Sequence, residues 1–314
     1  MAANVSRSQD VRFKRFLYLG IAVLVLLVVV FAIVYYRERY ATPAGVTEAP
    51  SVAQQLEEQV RNEPTNADAR VLLAQEYLAN KRFDDAVDQA QQVVKAYPKA
   101  DGALLILGVA QNLKGDPAAS IEPLQKYIKK RKKGKAAVAD SSLQAASYYL
   151  ADSYLQLGRP ADALTPLEDA LTINPSDADS IYKYGVALAG VGRHKEALTR
   201  FEAATMLVPD YKEAYEGMAA SYKALGKDDQ AAYATAMVAF ASGDYKSARD
   251  QLQKVLETDK DYAPALIGLG LSLEQLGDLE EAKVALERGF KLDSRSVAAS
   301  QALGRIDAQL QEQQ

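Results

Sequence analysis

The chain has 314 residues, of which 49% are apolar and 25% charged, the balance of a folded globular protein and not of a disordered one. It has no cysteine and one histidine, His194, which excludes disulfide scaffolds, thiolate metal sites, cysteine nucleophiles and histidine-rich metal centres. A net charge of −4 excludes a global electrostatic grip on nucleic acid, so no nucleic-acid partner is expected, and the whole reads as a binding surface rather than an enzyme.

Residues 1–15 form a basic tail with Arg7, Arg12, Lys14 and Arg15. Residues 16–36 (FLYLGIAVLVLLVVVFAIVYY) then run 21 positions without a charge. At 1.5 Å per residue that run is about 31 Å long as a helix, enough to cross the hydrocarbon of a bilayer. Tyr18, Tyr35 and Tyr36 stand where interfacial aromatics belong. A cleaved signal peptide has a shorter apolar core and a small-residue cleavage site. Here the run ends in Tyr-Tyr-Arg-Glu-Arg, so an uncleaved anchor is expected. Four bases precede it and two follow, which places the N-terminus in the cytoplasm and the rest outside the plasma membrane. Residues 37–50, with Pro43, Gly45 and Pro50, read as a linker. Residues 1–44 carry a net +4 and the remainder a net −8.

From residue 51 the chain repeats. Ala86, Ser120, Ala163, Ala197, Ala231, Ala248 and Ala282 are spaced 34, 43, 34, 34, 17 and 34. Ala74, Gly108, Ala151, Gly185, Ala219, Ala236, Gly270 and Gly304 follow the same spacings, and so do Pro64, Pro98, Pro175 and Pro209. Each unit reads as two amphipathic helices. The first ends at Asn80-Lys81 or at Gly115, Gly158, Gly192, Gly226, Gly243 or Gly277, because glycine relieves the left-handed turn that closes a helix. The second ends before proline, which cannot continue the hydrogen-bond ladder. Small residues recur where two antiparallel helices must approach closely.

This pattern resembles the tetratricopeptide repeat (TPR) family over about residues 51–312. One unit reads Leu73-Ala74, Tyr77, Phe83, Ala86, Pro98; a second Leu150-Ala151, Tyr154, Gly158, Ala163, Pro175; a third Tyr184-Gly185, Gly192, Ala197, Phe201, Pro209. The family's tryptophan is missing throughout. The resemblance implies an all-α, right-handed TPR superhelix, an α-solenoid, behind one N-terminal transmembrane helix. Its parts are a starting helix at 51–62, a helix at 228–241 that serves two units where the spacing falls to 17, and a capping helix at 296–312. Gln301, Arg305, Gln309 and Gln311 give that cap a polar outer face.

The spacing of 43 marks a nine-residue insertion beside the bases Lys126, Lys129, Lys130, Arg131, Lys132, Lys133 and Lys135. The expected form is a second helix lengthened into the lysines and a loop at Gly134. This basic loop is either a solvated connection or a contact for an anionic lipid or an acidic partner. No aromatic platform accompanies it for RNA. His194 falls at a helix–helix turn and reads as a packing residue. No phosphate-binding loop, metal set or cofactor motif is present in the sequence, so no cofactor is expected.

The resemblance implies a groove on the concave face, lined by first helices. Carried over by position, it comprises Val71 and Gln75, Leu105 and Val109, Tyr148, Asp152 and Leu155, and Asp179, Tyr182 and Val186. The family's chaperone-binding subclass grips a terminal carboxylate with Lys and Asn where this chain has Val71 and Gln75, which disfavours that ligand. The expected function is a membrane-tethered scaffold that holds a protein or peptide partner during assembly of an envelope or respiratory complex. The alternatives are an N-terminally anchored cytosolic receptor for targeting peptides, or an accessory subunit of a membrane enzyme. Tyr148 and Tyr182, 34 apart, are expected side by side, with Asp152 and Asp179 open to a basic residue of the partner.

Overall fold

The computed structural model describes residues 50–133 and 140–312. The expected tail, the anchor at 16–36 and all of the linker but Pro50 lie outside the described residues, as do Gly134 and Lys135. Among the described residues no helix is long and apolar enough to cross a membrane, and there are fifteen α-helices and no strand. They are α1 Val52–Asn62, α2 Ala67–Ala79, α3 Phe83–Ala96, α4 Asp101–Lys114, α5 Pro117–Arg131, α6 Ser141–Gln156, α7 Pro160–Ile173 and α8 Ala178–Gly190. They continue as α9 His194–Leu207, α10 Lys212–Ala224, α11 Asp228–Ala241, α12 Tyr245–Thr258, α13 Ala263–Leu276, α14 Leu279–Leu292 and α15 Val297–Glu312.

Each helix packs against the next in sequence, the arrangement of an α-solenoid. The first helices of successive units (α2, α4, α6, α8 and α10) also touch one another, and the second helices make no comparable contact. The first-helix layer therefore lies on the inside of the bend. Helix α11 packs as a second helix against α10, and then touches α13 as a member of the inner layer. Both of its small faces are used: Ala231 and Ala236 are buried. The inner layer continues through α11, α13 and α15.

The turns inside the units follow from backbone sterics. Gly115, Gly158, Gly192, Gly226, Gly243 and Gly277 all have φ between 68° and 91°, and Lys81 occupies the same place at φ 59°. The close approaches are equally specific. A Cβ on Gly185 falls 2.6 Å from Phe201 Cε1, and one on Gly217 falls 2.5 Å from Phe201 Cζ. The Phe201 ring, 1% exposed, thus fills a slot between α8 and α10 that two glycines leave open.

The nine-residue insertion is distributed, not concentrated. Relative to its neighbours, α5 gains one residue, the connection to α6 gains five, and α6 begins three residues early. The second helix is lengthened by a single residue because Asp140 caps α6 instead, accepting from the Ser142 and Leu143 backbone N–H groups at 3.0 and 3.1 Å. At the far end, Arg305 closes the cap with two hydrogen bonds, 2.7 and 2.8 Å, to the nearly buried Glu274 carboxylate of α13. Gln301, Gln309 and Gln311 face solvent.

Candidate functional site

The repeat register puts equivalent residues of the inner helices in rows. Tyr148, Tyr182 and Glu216 share one position on α6, α8 and α10, and Asp179 and Glu213 share another on α8 and α10. Tyr148 and Tyr182 are half-buried. Their rings, however, are not partners of each other. Tyr182 lies 5.1 Å from the Tyr211 ring and 6.0 Å from Phe201. Tyr148 meets Tyr149 edge-on at 5.2 Å and carries the Lys183 ammonium 5.4 Å from its centroid. Tyr211 precedes α10, and its hydroxyl donates to Asp179 Oδ1 at 2.6 Å. Burial first, and then the nearby carboxylates, push the Tyr148 and Tyr211 hydroxyls well above the usual phenol value. Burial and the Glu213 and Glu216 charges also raise Tyr182. These groups therefore stay neutral and serve as donors and ring faces.

Asp152 is not open to a partner in this structure. Its Oδ1 accepts from Lys183 Nζ at 2.5 Å, and its Oδ2 accepts from Asn112 at 3.0 Å and Gln156 at 2.6 Å. Burial pushes the Asp152 carboxyl up, but the bonds from Lys183 and Asn112 outweigh it and hold the group below the ordinary carboxylate range. Asn112 continues the network inward, donating to Ser153 Oγ at 2.9 Å, and Ser153 shares a 2.5 Å hydrogen bond with Ser120. Four helices, α4, α5, α6 and α8, are tied together across the point where the insertion breaks the period.

The other groove residues divide by depth. Val71, Leu105, Leu155 and Val186 are half-buried, and Gln75 and Asp179 are exposed. Val109 departs from the expected exposure: it is 7% exposed and belongs to the core cluster that includes Leu143, Ala146 and Leu150 of α6. An apolar side chain at that position gains more from the neighbouring unit than from water.

The basic loop is largely neutralised from within. Lys126 pairs with Glu122 at 2.7 Å, Lys130 with Asp101 at 2.6 Å, Arg131 with Asp140 at 2.5 Å, and Lys132 with Asp169. Lys129 and Lys133 have no carboxylate partner among the described residues. The run acts first as a set of ties across the insertion, linking α5 to α4, α6 and α7. His194 opens α9, half-buried, with no carboxylate or hydroxyl partner among the described residues. Among the described residues no cluster of acids or histidines can hold a metal.

Tetratricopeptide repeat models match residues 71–137, 135–178 and 239–310. The chain belongs to the tetratricopeptide repeat family. No curated protein matches it. Among solved structures, a MamA RS-1 ArsTM double mutant is similar at 18% identity and a TM-score of 0.50, over 58% of this chain and 98% of that one. Another MamA crystal structure reaches 22% identity and 0.48, over 62% and 95%. YrrB, described as a TPR protein with an unusual peptide-binding site, reaches 18% and 0.48, over 68% and 97%. At these identities the likeness concerns the fold alone. Tyr211, Lys183, and the Ser153–Ser120 pair were not among the residues expected from position, whereas Asn112 holds a groove-lining position of its unit. Tyr211 carries a sequence signal, since it stands two residues after Pro209, at the end of one unit and the mouth of the next.

Proposed function

We propose that this TPR protein is a membrane-tethered interaction scaffold whose inner helix layer holds an extended or helical segment of a protein partner. The observation that carries the reading is the set of Leu105, Tyr148, Leu155, Tyr182 and Val186 on the inner helices, each only half-buried. Apolar side chains left half-open on one helix layer mark an interaction site, and tyrosine supplies large contact area with a polar tip. Tethering rests on the uncharged residues 16–36, and a cytoplasmic N-terminus with extracytoplasmic repeats rests on the bases around that run. Such a protein assists assembly of an envelope or respiratory complex by presenting one subunit to another. Lys129 and Lys133 remain available for an anionic headgroup or an acidic partner. Replacing Tyr148 and Tyr182 together by alanine tests the groove: partner binding is expected to fall by about 2–4 kcal/mol at unchanged helicity. Undiminished binding by the double variant refutes the groove.

A further inference from the structure

The stretch of groove formed by α8, α10 and the turn that leads from α9 into α10 gathers acids and rings together. Tyr182 and Tyr211 present two rings 5.1 Å apart at an interplanar angle of 38°. Asp179, Glu213 and Glu216 surround them, all exposed. Asp179 accepts the Tyr211 hydroxyl through Oδ1, which fixes both the ring and the carboxylate. Glu213 has no cationic partner among the described residues, and Glu216 meets Lys212 only at 3.8 Å. Lys183 is already bound to Asp152 and stacked over Tyr148, and Lys223, exposed in the last turn of α10, stands two turns along the helix from Glu216.

We infer that this part of the groove is a receptor for a cationic segment of the partner, an arginine- or lysine-bearing peptide that lays its charged groups over Tyr182 and Tyr211 and between Asp179, Glu213 and Glu216. The inference rests on the groove reading above and names the partner's chemistry. Three physical arguments support it. A cation over a tyrosine face is attracted by the ring quadrupole, and the chain already makes this contact internally with Lys183 over Tyr148. The carboxylates flank the rings on two successive inner helices, at positions the repeat brings into line, so a planar guanidinium can stack on a ring and still reach an acid. Clustered acids with a single, distant counter-charge in Lys212 repel one another, and a cationic ligand relieves that repulsion.

The test uses the full chain in detergent micelles and short fluorescein-labelled peptides of arginine, alanine and leucine. Matched peptides carry glutamine or glutamate in place of arginine, and a further one is wholly apolar. Fluorescence anisotropy is expected to show binding of the arginine peptide, weakening with salt. A Glu213→Lys/Glu216→Lys variant should bind it roughly tenfold more weakly or worse. Tyr182→Leu should cost several-fold, while Lys254→Glu, exposed on the second helix α12, leaves binding unchanged. Both acids are exposed, so the charge reversal does not threaten folding, which circular dichroism checks. If the apolar and glutamine peptides bind as well as the arginine peptide and the charge reversal changes nothing, the cationic preference is overturned and the groove survives. If no peptide binds, both are overturned. If the chain self-associates and Glu213→Lys/Glu216→Lys abolishes that association, the acids face a second copy's basic run, which also overturns the inference.

Discussion

Gly185→Ala is the sharpest test of how the solenoid is packed, because two effects of opposite sign compete. In an exposed helix interior, alanine in place of glycine stabilises by roughly 0.5–1 kcal/mol. At position 185 the new methyl lands 2.6 Å from Cε1 and 2.8 Å from Cδ1 of Phe201, well inside the ~3.5–4.0 Å at which carbons rest. The ring has no retreat. On its other side Gly217 approaches so closely that a Cβ there would lie 2.5 Å from Cζ. Overpacking of this kind costs about 1–3 kcal/mol, so the clash wins and the variant is destabilised. Phe201→Leu removes three carbons from a buried site, about 2 kcal/mol at ~0.8 kcal/mol per group. In the double variant the alanine methyl fills part of the vacated slot, and the two costs should fall short of their sum by about 1–3 kcal/mol. Gly304→Ala on α15 is the control: nothing lies within 4 Å of its Cβ, so it should stabilise by roughly 0.5–1 kcal/mol. Urea unfolding followed by circular dichroism measures all four variants. The m-value is checked each time, since a solenoid loses cooperativity when one interface weakens. If Gly185→Ala behaves like Gly304→Ala, or the double variant is additive, the Phe201 slot is not what sets this spacing. Because Tyr182 touches Phe201, a loosened slot should also weaken partner binding.

Three further outcomes follow from the same structure. Lys81→Gly should stabilise by about 0.5–1 kcal/mol, because the left-handed cost of roughly 1–2 kcal/mol for an L residue exceeds the entropy glycine adds to the unfolded chain; a loss of stability in thermal melts contradicts this. Lys183→Met should destabilise at neutral pH by roughly 1–3 kcal/mol, since Asp152 and Lys183 have side chains only 16% and 21% exposed and Asp152 keeps its Asn112 and Gln156 bonds. The Asp152 carboxyl is depressed in the fold, so its contribution is present above the unfolded value of about 3.9 and is lost as pH falls through the folded value. The gap between native protein and Lys183→Met should therefore close under acid, and a gap that persists there argues against the pair. Protease added to spheroplasts should digest the repeats if they are extracytoplasmic; protection until lysis reverses the topology and favours the cytosolic receptor for targeting peptides.

The helices were legible because their signals are local and repeated. Periodic small residues mark helix contacts, glycines mark left-handed turns, and the spacing of 17 in place of 34 at Ala231–Ala248 is one helix and one turn, which is what α11 occupies. The insertion was legible in length but not in form, because Asp140 decides where α6 begins, and a capping aspartate is no different in sequence from the other acids. The groove was legible as positions and not as contacts. Nothing at the family's positions distinguishes Val109, which sinks into the core, from Val186, which does not. Nor does the spacing of Tyr148 and Tyr182 show that Lys183 covers one ring and Tyr211 meets the other. Those choices depend on side chains from two or three helices converging, which a repeat period does not encode.

On the function proposed above, partners bind on the inner helix layer. Site-specific photocrosslinking in native membranes tests it most directly, with a photoreactive residue placed in turn at Leu105, Leu155 and Tyr182 on the inner helices and at Lys195 and Glu257 on the second helices α9 and α12. The same protein adduct is expected from all three inner positions, lost when Tyr148→Ala/Tyr182→Ala is added at the Leu105 and Leu155 probes, and none from the outer two. Adducts confined to the outer positions would contradict it.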